Sequence, residues 1–212
     1  MHTRSSEMKQ RLLVLAGLAG ILGGVAVALA YGLHPPESSP ETVASPMWAW
    51  IHVLFLVSLI CGVFLLQGLL ARFLDAGGRP IGVLWYVLAV ISLLLILGLD
   101  YAEIFIFPVL AVEFPEVVAR YGDGVAMPSL AFVFPASGAL FLVGWSLFAF
   151  QLKRVRAVDP RAALGLLISV VAFAAGLSGF LPFVAVKVGA ALFGAGLAWT
   201  GWSLVGQARS MS

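Results

Sequence analysis

Four side chains able to carry charge interrupt otherwise apolar runs of this chain: His52, Asp100, Glu103 and Lys187. Proton relays and ion paths use acid, imidazole and amine groups inside a membrane, because their protonation can be linked to a change of shape. Asp100 and Glu103 stand three apart in "LGLDYAEIFIFPVL", a spacing that puts both carboxylates on one helix face. A central Asp, Lys or Arg costs roughly 2.5 to 3.5 kcal/mol on insertion scales, so each of these groups should face protein rather than lipid.

Their depths agree. His52 follows Met47, Lys187 follows Pro182 and Glu103 precedes Pro108 by five residues each, which puts all three ~8 Å below one end of their helices and Asp100 ~12 Å below it. The expected pocket is completed by Trp48, Tyr101 and Ser137, with Pro135 supplying a kink beside the Ser137 hydroxyl.

This layer admits four chemistries. One is a buried ion pair of Lys187 with Glu103 or Asp100, with His52 hydrogen-bonded to the other acid, although desolvation offsets much of such a pair's attraction. The second is an outward-facing pocket that binds a proton, an ion or a small polar ligand for transport or sensing. The third is a metal site in which His52, Asp100 and Glu103 offer nitrogen and oxygen ligands. A bis-His haem does not fit it, since His2 is cytoplasmic and His34 falls in the first loop. The fourth, an enzyme, has no motif behind it: a zinc hydrolase needs more His or Cys, and Ser137 or Ser178 near His52 would be a nucleophile without a signature. The second chemistry is the one we expect, with a structural or accessory subunit as its rival; no enzyme and no particular cofactor is implied.

The elements that position these groups follow from composition. Of 212 residues, 62% are hydrophobic and 10% charged, and the mean hydropathy is +1.08; soluble domains carry roughly 25% charged residues. The apolar runs do not alternate as barrel strands do, so the spans are helices that satisfy their own backbone hydrogen bonds. Six are predicted: Leu12 to Leu33, Met47 to Ala71, Ile81 to Phe107, Ser129 to Leu152, Ala162 to Gly179 and Phe180 to Val205. "GLSGFLP" separates the last two, as a tight helical hairpin or as one broken span with a re-entrant piece. The fold class is therefore an all-α, polytopic bundle forming one transmembrane domain.

Orientation comes from the basic residues, which accumulate on the cytoplasmic side. Ten lie in the N-terminus (Arg4, Lys9, Arg11), the second loop (Arg72, Arg79), the fourth loop (Lys153, Arg154, Arg156, Arg161) and the C-terminus (Arg209), against one, Arg120, in the odd loops. Both termini are thus expected in the cytoplasm. The net charge of +2 is explained by this topology and does not call for nucleic acid. Partners expected are the lipid bilayer, a small ligand or ion, and a second copy or a partner membrane subunit. Anionic lipid beside "KRVRAVDPR" is the lesser reading of a topology determinant.

Residues 1–30 resemble a signal peptide with "ALA" at 28–30, but the long apolar run and the Gly20/Gly24 spacing favour a retained helix. Cys61 is the single cysteine, so there is no disulfide framework. The first loop is Pro-rich and expected to be extended. "PEVVARYG" in the third reads as one or two helical turns, set as a lid over the outer mouth.

At "VKVGAALFG" and "DYAEIFIFP" the chain resembles microbial rhodopsins, in which a last-helix Lys binds retinal and a third-helix carboxylate is its counterion. That resemblance implies Lys187 as the Schiff-base residue and Glu103 or Asp100 as counterion; it departs from the family in having six spans and no aromatic-Pro pattern in the sixth helix. Over most of its length, at "HPP" 34–36, "PMWAWIH" 46–52, Glu103 with "PVLA" 108–111, and "GLAWTGWSL" 196–204, the chain resembles uncharacterised six-span bacterial integral membrane proteins. This implies a bacterial inner-membrane location and no activity.

Overall fold

Proline sets where most of the helices begin, because its fixed φ suits a first helical turn that needs no N–H donor. The computed structural model describes residues 2–122, 127, 128 and 130–210. Among the described residues there are helices and no strand: α1 (His2–Leu33), α2 (Pro40–Val43), α3 (Pro46–Asp75), α4 (Pro80–Phe105), α5 (Phe107–Glu113), α6 (Pro115–Tyr121), α7 (Val133–Val155), α8 (Pro160–Leu177) and α9 (Phe183–Arg209). Ser45 and Asp159 cap α3 and α8 by accepting from the Trp48 and Arg161 backbone N–H groups.

Six segments are long and apolar enough to cross a membrane: Glu7–Leu33, Pro46–Asp75, Pro80–Glu113, Val133–Val155, Pro160–Leu177 and Phe183–Arg209. The chain is an all-α bundle of the kind a multi-pass membrane protein has. Its third span breaks at Ile106, because Pro108 has no N–H to return to the carbonyl one turn back. Gly179, at φ +76°, turns the chain between α8 and α9, so "GLSGFLP" is the bend of a helical hairpin rather than part of a re-entrant span. The fourth span starts at Val133, later than expected; Ser129 lies outside the described residues.

The six long helices close a ring in chain order. α1 packs on α3, α3 on α4, α4 on α7, α7 on α8, α8 on α9, and α9 returns to α1. Successive helices reverse direction, so the ends of α1, α4 and α8 meet the starts of α3, α7 and α9 away from the termini. The α1–α9 seam is the tightest. A Cβ on Gly17 would lie 2.5 Å from the Gly201 carbonyl oxygen, and one on Gly24 would collide with the Gly194 carbonyl. Small residues here let backbone touch backbone, as membrane helices do when no water drives them together.

Aromatic rings fill the middle. Phe173 and Phe193 stack at 5.4 Å, Phe141 meets them edge-on at 5.9 and 5.3 Å, and Trp145 closes on Phe193 at 5.6 Å. At the terminal end Lys9 pairs with Asp75 at 2.7 Å, and Arg72 donates to Gln207 at 3.1 Å, linking α3 to α1 and α9. At the opposite end α2, α5 and α6 pack around Val43, Trp48, Phe107, Ala111 and Val118. "PEVVARYG" thus forms α6 as expected. The first loop is not extended throughout: Ser39 caps a turn opened by Pro40, accepting from the Thr42 N–H at 3.3 Å.

Candidate functional site

Asp100 and Glu103 are both buried, at 6% and 8% exposure, on one face of α4. Tyr101, one residue and ~100° further round the helix, is 54% exposed and packs on Phe105 at 4.8 Å. It points away from the interior and does not line the expected pocket. Asp100 Oδ2 has no hydrogen-bond partner among the described residues. On α1, Tyr31 packs edge-on against Phe55 at 4.5 Å and Phe173 at 5.1 Å, which draws α1, α3 and α8 together.

His52 is buried one helical turn after Trp48, and its Nδ1 donates to the Trp48 carbonyl at 2.9 Å. A carbonyl can only accept, so the ring proton is on Nδ1 and the lone pair is on Nε2. Sequence reasoning left His34 in a loop. Its N–H continues α1 by bonding the Ala30 carbonyl at 2.9 Å, and its Nδ1 donates to the Pro35 carbonyl at 2.7 Å. The two imidazoles meet edge-on with centroids 5.5 Å apart. Trp48 packs on His52 at 4.6 Å and on His34 at 5.2 Å, and Phe55 and Phe183 lie 6.1 and 5.9 Å from His34.

Lys187 is placed differently from the ion-pair expectation. Its Nζ donates to the Gly32 carbonyl at 3.1 Å and lies 5.4 Å from the Phe183 ring centre. Among the described residues no ion pair joins it to either acid. The reason is ring order: α9 is flanked by α1 and α8, whereas the acids ride on α4 between α3 and α7. The lysine–counterion contact implied by the rhodopsin resemblance is absent for the same reason. Ser137 is buried, but it donates its hydroxyl proton to the Phe134 carbonyl at 2.9 Å. Nor do His52, Asp100 and Glu103 converge as a metal triad, since no three such ligands do so among the described residues.

A depression of about 350 Å³ at this end is lined by Leu33, Pro35, Glu41, Thr42, Ser45, Met47, Trp48 and Ile51. Glu41 at its rim has its pKa lowered by its own backbone N–H and by the Ser39 hydroxyl, which favours the charged form. Tyr31 and His34 were the residues that sequence reasoning missed. Their signal was spacing: 31 and 34 share a face of α1, and 48, 52 and 55 share one of α3. No family model, curated protein or solved structure matches the chain.

Proposed function

We propose that this chain is a multi-pass inner-membrane protein with cytoplasmic termini, whose outward-facing polar site binds a proton, an ion or a small polar ligand for transport or sensing. Asp100 carries the reading. A carboxyl group at 6% exposure with one oxygen left without a hydrogen bond among the described residues is costly, by about 1 to 3 kcal/mol. Such a group is suited to gaining and losing a proton or to receiving a ligand. His52 and Glu103 supply further exchangeable groups at the same end, and Lys187 a positive charge held by the Gly32 carbonyl. The aromatic packing beneath supports binding or gated passage over a standing pore.

The test is infrared difference spectroscopy of the reconstituted protein between acid and alkaline pH. A carboxyl C=O band that appears on acidification in wild type and is missing in Asp100→Asn, with the melting temperature unchanged, is the expected result. Identical difference spectra for the two proteins would remove Asp100 from any proton-binding role.

A further inference from the structure

We propose that the connection between α7 and α8 binds the headgroups of anionic phospholipids through Lys153, Arg154, Arg156 and Arg161. The inference stands apart from the polar mouth, which lies at the other end of the ring, and takes from the reading above only that the chain spans a bilayer.

Three observations carry it. The four cations fall within nine residues, all four are exposed, and among the described residues none of their side chains enters an ion pair or a hydrogen bond. Elsewhere at this end charge is neutralised within the protein: Lys9 and Arg72 both reach Asp75, at 2.7 and 3.5 Å. The acid of the connection, Asp159, is taken up in capping α8, where it accepts from the Arg161 backbone N–H at 2.8 Å.

The connection is also held in one shape. Ala157 and Val158 are buried, the Ala157 N–H bonds the Leu152 carbonyl at 3.0 Å, and the Asp159 N–H donates to Ser203 Oγ on α9 at 3.0 Å. Arg156 ends α7 at φ +54°, in the left-handed region where glycine is usual because it has no Cβ to clash. Membrane orientation would be set by cations anywhere in this connection, and does not call for arginine at a position that favours glycine.

The third observation is depth. Trp199 and Trp202, at 47% and 64% exposure, precede the anchoring Ser203 by one turn and one residue, and indole rings gather at headgroup level. Phe150 and Leu164 are exposed three residues, ~4.5 Å, inside Lys153 and Arg161, so apolar side chains stand against acyl chains where the cations stand against phosphate. Arginine pairs with phosphate oxygens through its fork and lysine as a point charge. A zwitterionic headgroup offers the same phosphate, but its own cation repels the cluster.

The experiment is titration of the full-length protein, purified in neutral detergent, with fluorescently labelled phosphatidylglycerol, beside the same label on phosphatidylcholine. Wild type should bind the phosphatidylglycerol probe saturably, and about tenfold or more tightly than the other. Arg154→Gln and Arg156→Gln should each weaken that binding by about fivefold at an unchanged melting temperature. The quadruple variant K153Q/R154Q/R156Q/R161Q should fall to the affinity for phosphatidylcholine. Arg156→Gly should bind less tightly yet melt no lower than wild type, which separates the cation's role from folding. Arg120→Gln, the same loss of charge on α6, should bind as wild type does. Equal affinity for the two lipids, undiminished binding in the quadruple variant, or an equal loss from Arg120→Gln overturns the assignment. Absence of the Asp100 carboxyl band would leave it standing.

Discussion

The α1–α9 seam and the polar mouth, to which α3 and α4 bring His52, Asp100 and Glu103, follow opposite rules. Along the seam, Gly17 and Gly24 meet Gly201 and Gly194 so closely that the space for a Cβ is already filled by backbone. At the mouth, a few residues further along α1, Tyr31 and His34 are large and polar, and on α4 Asp100 keeps an oxygen without a hydrogen bond among the described residues. Close packing of small residues is what holds membrane helices together. Groups that relax it are retained where something other than cohesion is needed.

Three substitutions press on that contrast. The largest effect should come from the seam: Gly24→Val drives a branched side chain into the Gly194 carbonyl and should cost ~3 kcal/mol, because backbone yields less than a side-chain tip. A detergent melting curve reads it, and an unchanged midpoint would mean that the seam is not a main source of stability. At the mouth the sign should reverse. Asp100→Leu removes a buried, partly unsatisfied carboxyl and should raise stability by ~1 to 2 kcal/mol; a lower midpoint would make the acid a cohesive element like the seam. The smallest effect lies away from both, at the end of α7, where Arg156 holds φ +54° without being glycine. Arg156→Gly should stabilise by about 1 kcal/mol, or ~2 to 4 °C. No gain would show that the arginine side chain offsets its backbone strain.

The spans were readable from the sequence because they depend on position along a helix. Apolar length, the prolines at helix starts and the three-residue step from Asp100 to Glu103 are one-dimensional facts, and α3, α4, α8 and α9 follow them closely. What could not be read was which helix stands beside which. Lys187 and Glu103 were expected at one depth, but the ring puts other helices between α9 and α4, and the lysine turns to Gly32 instead. Tyr101 was misplaced by direction rather than depth, since one residue along a helix turns a side chain from interior to lipid. His34 was lost to a boundary: α1 carries its last backbone bond one residue beyond the apolar run.

Closure of the ring by its first and last long helices has a consequence for biosynthesis. As the chain emerges, α1 enters the bilayer with Gly17, Gly20 and Gly24 uncovered, and the surface that covers Gly17 and Gly24 is synthesised only after the four long helices between them. Until α9 arrives, the protein is an open arc with a groove facing lipid, and any prematurely ended product stays that way. Such an arc offers membrane quality control a simple distinction between finished and unfinished molecules, made by whether the glycine face of α1 is still exposed.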